Sequence, residues 1–315
     1  MKTGRGLSAS FLDALQNEGG LGLNRLLLAV KTDDTLCLEI RENSINIYYR
    51  GGNLIRLEEK QGKFLASFDR RYILEPEKSK LPAEISQCPL KCREDVALWI
   101  DAIPYIKLEM DHWFHFHPKE EREAQQLIVR ENNFGGAAKS TDYFICDIEY
   151  ANECGRFDLI AAHWPAIGSA RKNNHNVGLA FIEFKYMNKA MANTAGICAH
   201  VQDMKTYYEN NPDHFASLKN EMIQVFKQKW TLGLIDIQKP IECFNEEMPD
   251  FILALANHDP ESRILLRELK EIAAIAPSLP FSVKFAVSNF LGYGLYDQNI
   301  YGLEAFMERY KEQIH

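Results

Sequence analysis

The stretch Phe181-Ile182-Glu183-Phe184-Lys185-Tyr186 constrains this chain more than any other. It reads as a β-strand, and strand side chains alternate between faces. Glu183 and Lys185 therefore share one face, while Ile182, Phe184 and Tyr186 take the other. A charged pair inside an otherwise apolar strand is costly to bury unless something in a cleft uses it. Upstream, Gly155-Arg156-Phe157-Asp158-Leu159-Ile160 reads as a second strand that places one acidic side chain, Asp158, among apolar ones.

Composition bounds what such strands can belong to. The 315 residues allow one large domain or two ordinary ones, and 46% apolar with 25% charged residues is normal for a soluble globular chain. No apolar run is long enough to span a membrane, and the first residues lack the apolar stretch of a signal peptide, so a cytoplasmic protein is expected. Seven scattered cysteines suit reduced thiols better than a disulfide framework. Cys88 and Cys92 are the one close pair, without a second pair at zinc-finger spacing. The net charge of −8 argues against a general nucleic-acid coating protein but leaves room for an enzyme with a local basic cleft.

In chain order, residues 8–20 read as a short amphipathic helix. Strands are then expected at Leu26–Val30, Leu36–Ile40, Ile45–Tyr49, Asn53–Leu57 and Phe64–Phe68, punctuated by turn signals such as Gly51-Gly52. Alternation of Leu38, Ile40, Ile45 and Ile47 with polar residues suggests a half-exposed antiparallel meander. The domain division that follows is a β-rich module over 1–80, a linker and helix over 81–110, and an α/β domain over 111–315. The proline-bearing residues 75–90 make the linker, and Arg93–Met110 a helix that Pro104 threatens to break.

Between His112 and His117 three histidines alternate with aromatics. The spacing suits a strand or loop with His115 and His117 on one face. A zinc site at His112, His115 and His117 is the competing reading, and it lacks a carboxylate or Cys to complete a tetrahedral set. Pro118 opens a helix with the apolar stripe Ala124, Leu127 and Ile128, and Glu123 lies on the side of that stripe. Tyr143–Glu149 and Arg156–His163 read as a hairpin, and residues 166–176 as a polar loop whose Arg171 and Lys172 could meet a phosphate backbone. After the strand Leu179–Tyr186 come helices at Ile197–Tyr208 and Phe215–Trp230. The buried strands Phe251–Ala256 and Phe281–Ser288 flank a helix over Glu261–Ile275, the crossover order of α/β proteins. Gly292-Tyr293-Gly294-Leu295-Tyr296 is turn-rich, and Leu303–Ile314 is a closing helix.

A helix with Glu123, a strand with Asp158, a strand with Glu183-Phe184-Lys185 and a helix with Gln202 together resemble the PD-(D/E)XK nuclease superfamily over roughly residues 115–290. Phe157 stands where the superfamily's name puts proline. The fold implied is α/β, a restriction-endonuclease-like mixed central sheet flanked by helices, with the N-terminal antiparallel meander outside it. The activity implied is metal-dependent hydrolysis of phosphodiester bonds in nucleic acid, DNA before RNA. The resemblance implies Mg²⁺ or Mn²⁺ held by Asp158, Glu183 and the Phe184 carbonyl. Lys185 would orient or deprotonate the attacking water, or stabilise the transition state. Glu123 would hold a second metal through water. Gln202 would contact substrate or Lys185, with His200 and Lys205 as alternatives for that place. A catalytically inactive member acting as a binding or assembly module is the alternative, and a second copy of the chain is compatible as a partner.

Overall fold

A computed structural model describes residues 4–135, 138–151, 155–187, 196–210, 214–258, 262–288, 297 and 300–311. The chain is an α/β protein with an antiparallel five-stranded sheet, a mixed six-stranded sheet and nine α-helices among these residues. It divides into two compact units, one formed by Met1–Gln126 with Gln224–Ile235, the other by Leu127–Ile223 with Asp236–His315. This differs from the expected divisions at 80 and 110. Residues 87–90 are no linker but strand β5, paired with β4. Pro89 is tolerated there because β5 is an edge strand, where a missing N–H costs no ladder bond.

The first unit opens with helices α1 (Ala9–Gln16) and α2 (Leu23–Thr32). The expected strand at Leu26–Val30 is part of α2. Leu23, Leu26, Leu27 and Val30 are its buried residues, the three- and four-residue spacing of a helical stripe. A short apolar run fits both strand and helix, and here the helical period won. Strands β1 (Leu36–Arg41), β2 (Ser44–Tyr49), β3 (Gly52–Lys60), β4 (Lys63–Ser67) and β5 (Gln87–Leu90) follow in spatial order. β2 and β3 are joined by Arg50 and Gly51, with φ of 47° and 78°, the two left-handed residues that a tight hairpin turn needs.

β1 and β2 are not half-exposed as expected, since every residue of both is buried, whereas β4 alternates. The polar alternates Glu39, Arg41 and Asn46 satisfy one another and their neighbours. Arg41 and Asn46 both donate to the Tyr48 hydroxyl, at 3.1 and 2.9 Å. Glu39, fully buried, receives Lys229 Nζ at 2.9 and 2.8 Å. Lys229 belongs to the Gln224–Ile235 segment, and beside it Gln228 exchanges two hydrogen bonds with the Leu7 backbone, at 2.8 and 2.9 Å.

Helix α3 (Arg93–Phe116) packs on β3 and runs unbroken past Pro104, whose ring lies on the exposed side. It also absorbs the histidine run. Ile103, Ile106, Met110 and Phe114 face the core, which turns His112 and His115 outward. The run expected as a strand or loop is helical instead, because it continues a helical period already set upstream. Helix α4 (Glu120–Asn133) comes next.

In the second unit the strands are β6 (Tyr143–Ala151), β7 (Arg156–His163), β8 (Gly178–Tyr186), β9 (Asp250–Ala256), β10 (Val283–Ser288) and β11 (Ile300–Gly302), in the order β11-β10-β9-β8-β7-β6. The pairs β6–β7, β7–β8 and β10–β11 are antiparallel, while β8–β9 and β9–β10 are parallel. A five-residue helix α5 (Gly168–Lys172) precedes β8. Helices α6 (Ile197–Asn210) and α7 (His214–Thr231) follow β8 in the chain. Helix α8 (Arg263–Ile275) is the crossover from β9 to β10, and α9 (Leu303–Lys311) follows β11. The core at α6 is aromatic. Phe181 of β8 meets Tyr207 and Tyr208 of α6 at 5.9 and 6.2 Å between ring centres, and Phe157 of β7 meets Phe181 at 4.5 Å. No helix among the described residues is long and apolar enough to cross a membrane. The six described cysteines are free, and Cys154 and the Gly292–Tyr296 turn lie outside the described residues.

Candidate active site

The β7–β8 ladder ends at Leu159 opposite Ile182, one residue short of Asp158. Beyond it, Asp158 Oδ2 accepts the Phe184 N–H at 3.0 Å, so a side chain takes the place of a ladder carbonyl. On its other side β8 continues pairing in parallel with β9 through Glu183, Phe184, Lys185 and Tyr186. β8 thus parts from an antiparallel neighbour while still held by a parallel one. Such a change of strand direction at the carboxyl ends of parallel strands is where open α/β sheets leave a crevice. Met187 and Asn257 follow β8 and β9 with φ of 61° and 49°, turning the chain out of the sheet. Asn257 Nδ2 donates to the Tyr186 hydroxyl at 3.0 Å.

Glu183 and Lys185 extend from the same face, and Lys185 Nζ donates to Glu183 Oε1 at 2.8 Å. Both are buried, at 8% and 5% exposure, and such a pair persists only with further polar partners. The partner is His200, in the first turn of α6, with Nε2 2.9 Å from Lys185 Nζ and 3.1 Å from Glu183 Oε1. One imidazole nitrogen cannot accept from the ammonium and donate to the carboxylate at once, so the position of the proton couples all three groups. Glu268 of α8 anchors that turn, accepting the Cys198 N–H at 3.3 Å.

Of the six residues expected at the site, four come together: Asp158, Glu183, Phe184 and Lys185. Gln202 does not. It lies exposed, its amide 3.8 Å from Cys198 Sγ, because two residues along a helix turn a side chain about 200° away from His200. Lys205 donates instead to Ser278 Oγ at 3.1 Å. Glu123 belongs to the first unit, where Arg50 Nε donates to it at 3.2 Å. Arg171 of the polar loop is also committed: it donates to the Pro165 carbonyl at 3.0 Å and to the Thr141 carbonyl, and stacks 4.6 Å from the Phe144 ring centre. The zinc reading gains nothing, since among the described residues no group of three or more His, Cys, Asp or Glu is disposed to hold a metal ion. His117 stacks on Trp113 at 4.3 Å.

That same absence limits the fit of a dication at Asp158 and Glu183. Mg²⁺ needs only one or two protein carboxylates when waters and substrate phosphate complete its octahedron, and hard carboxylate oxygens are the right donors. Among the described residues Asp158 Oδ1 takes no hydrogen bond, which leaves a carboxylate oxygen able to serve. The donor set therefore fits a two-carboxylate site.

The electrostatics point the same way. Burial and then the neighbouring Glu183 push the Asp158 carboxyl up from 3.8 to about 6, against the lowering pull of the Phe184 N–H. Between pH 4 and 6 the folded chain thus holds a proton that the unfolded chain has lost. Stability falls as pH rises through that window and stays reduced above it. Without divalent cations, Asp158→Asn is therefore expected to raise stability at pH 7 by about 1–2 kcal/mol, after discounting for partial exposure. The gain should vanish near pH 4, and thermal unfolding across pH with a chelator present checks it. A variant less stable than the parent at pH 7 would show that no such carboxylate strain exists.

No family model, no curated protein and no solved structure matches the chain.

Proposed function

We propose that the chain is a metal-dependent nuclease that hydrolyses phosphodiester bonds, with DNA favoured over RNA on the resemblance to PD-(D/E)XK nucleases alone. The observation that carries the reading is the buried Lys185–Glu183 pair, with the partly exposed His200 against both, beside Asp158 where β8 parts from β7. A buried charged network at a sheet's carboxyl crevice is more expensive than apolar packing, which favours a chemical use for it. Asp158, Glu183 and the Phe184 carbonyl would hold Mg²⁺ or Mn²⁺, which would polarise the scissile phosphate and acidify a water. Lys185, now bound to Glu183, would be released toward the attacking water or the developing phosphate charge as the carboxylate takes a cation. His200, in contact with both, can accept the lysine's proton at Nε2 or return one to Glu183, keeping the cluster's charge balanced through a turnover. With a net charge of −8 the chain depends on bound cations to admit a polyanion.

The full chain incubated with DNA or RNA and Mg²⁺ or Mn²⁺ is expected to cleave one of them, with activity lost on chelation. Calorimetric titration is expected to show Mn²⁺ binding weakened at least tenfold by Asp158→Asn and by Glu183→Gln. The acidic net charge of −8 favours the second reading, a catalytically inactive nuclease-fold protein acting as a binding or assembly module. Nucleic-acid binding without cleavage, and without Mn²⁺ uptake that depends on these carboxylates, would select it.

A further inference from the structure

Helix α3 carries a face that neither the core of the first unit nor the nuclease reading uses. Its inner side is set by Trp99, Ile103, Ile106, Met110 and Phe114. On the outer side Asp101, Tyr105, Leu108, His112, His115 and Phe116 are all exposed. The side of a surface helix that turns away from its core is ordinarily charged or polar. Here Tyr105 is 45% exposed, Leu108 65% and Phe116 60%, at spacings that put them on one stripe. Single exposed apolar side chains are ordinary, but a contiguous stripe of them marks a contact surface.

The polar groups give this face a direction. Asp101 lies seven residues before Leu108 and His115 seven residues after it, each about two turns or 10.5 Å along the axis. Seven residues return to within about 20° of the same bearing, so the three side chains stand in one line. Among the described residues neither Asp101 nor His115 has a hydrogen bond or ion pair with the rest of the chain. His115 meets the Phe116 ring edge-on at 4.8 Å. A carboxylate at one end, an apolar centre and an imidazole at the other are complemented by the same face run backwards. A two-fold axis at Leu108 brings Leu108 against its own copy and Asp101 of each chain against His115 of the other. There a ring N–H can donate to the carboxylate whichever charge the ring holds. Tyr105 then approaches His112 of the other chain, and Phe116 approaches the half-buried Leu98. A parallel pairing would set Asp101 against Asp101, so the charges choose the antiparallel one.

We propose that a second copy of this chain docks on α3, the two helices antiparallel about a two-fold axis at Leu108. The inference goes beyond the nuclease reading, since α3 carries none of that site's residues. A helix of 24 residues is about 36 Å long and 10–12 Å across, so the contact is on the order of 400 Å² per chain. That is about half of a standard interface of ~800 Å² per partner, and it suits a dimer in exchange with its monomer rather than a permanent one.

Sedimentation velocity of the full chain is expected to show monomer near 1 μM passing to dimer by about 300 μM. Leu108→Glu sets two carboxylates together at the axis and should raise the dimer dissociation constant at least tenfold. His115→Asp places a carboxylate opposite Asp101 twice over and should weaken the dimer by a similar factor. Asp101→Lys combined with His115→Asp restores opposite charges and should recover most of the affinity, which a folding defect could not do. All three positions are exposed, and thermal unfolding checks that each variant folds as the parent does. A chain that stays monomeric over the whole range, whatever else then binds α3, would overturn the proposal. So would a dimer that neither Leu108→Glu nor His115→Asp weakens, or a double variant no tighter than His115→Asp alone.

Discussion

Lys185→Ala is expected to abolish metal-dependent cleavage, with a rate loss on the order of 10²–10⁴, the span general acid–base and charge-stabilising groups supply. Lys185, only 5% exposed, holds its ammonium between Glu183 and His200. The substitution also removes a positive charge from Glu183. Mn²⁺ affinity should therefore hold or rise while turnover disappears, a split that a merely misfolded variant cannot give. Lys185→Arg should not rescue, because a planar fork does not fit where a compact ammonium contacts one carboxylate oxygen and one ring nitrogen. Single-turnover cleavage and Mn²⁺ calorimetry on the same preparations check both halves. Cleavage at the parental rate in Lys185→Ala would remove the nuclease assignment.

Lys229→Met should be the most damaging single change for the first unit. Glu39 has no solvent exposure, Lys229 only 1%, and they meet through two contacts at 2.9 and 2.8 Å. Cutting the lysine removes both of these contacts from a buried carboxylate, which also has Arg41 Nη1 at 3.9 Å. Removing one partner of a buried pair typically costs about 3–5 kcal/mol, whereas replacing both by apolar groups of similar volume is close to neutral. Denaturant unfolding of Lys229→Met should show the full loss, and Glu39→Leu with Lys229→Met should recover most of it. The neighbouring Cys37 thiol, already pushed far up by burial and then by Glu39, stays protonated in either case. If the double variant is as unstable as the single one, the loss comes from packing around the lysine stem rather than from the broken ion pair.

These two residues also mark where the sequence was readable. The period of two that puts Glu183 and Lys185 on one face is local, and the strand formed as expected. Which side chain of α6 would join them was not local. Helix rotation is set by Phe181 against Tyr207 and Tyr208, and by Glu268 holding the first turn, contacts that no window around residue 200 contains. The sequence alone therefore leaves His200 as one of three candidates with Gln202 and Lys205. Glu123 was placed on the right helix, but its partner is the side chain of a hairpin turn. Gly51 in that turn comes so close to α4 that an added Cβ would lie 2.7 Å from the Arg122 Cβ, and this approach brings Arg50 to Glu123. Polar residues of β1 and β2 read as solvent-facing for the same reason, since the lysine that buries Glu39 lies 190 residues away.

The Gln224–Ile235 segment carries a consequence for how the chain is made. A nascent chain that has reached Gln126 holds every strand of the five-stranded sheet but neither the counter-ion of Glu39 nor the glutamine that matches the Leu7 backbone. Both arrive only after the ninety-seven intervening residues of Leu127–Ile223 have been synthesised. At translation rates of about 5–20 residues per second this is a delay of roughly 5–20 s. The amino-terminal sheet is therefore the first to be written and not the first to be finished. During that interval Glu39 must stay solvated or protonated, so a truncated chain ending near residue 126 should be a client for chaperones rather than a stable fragment.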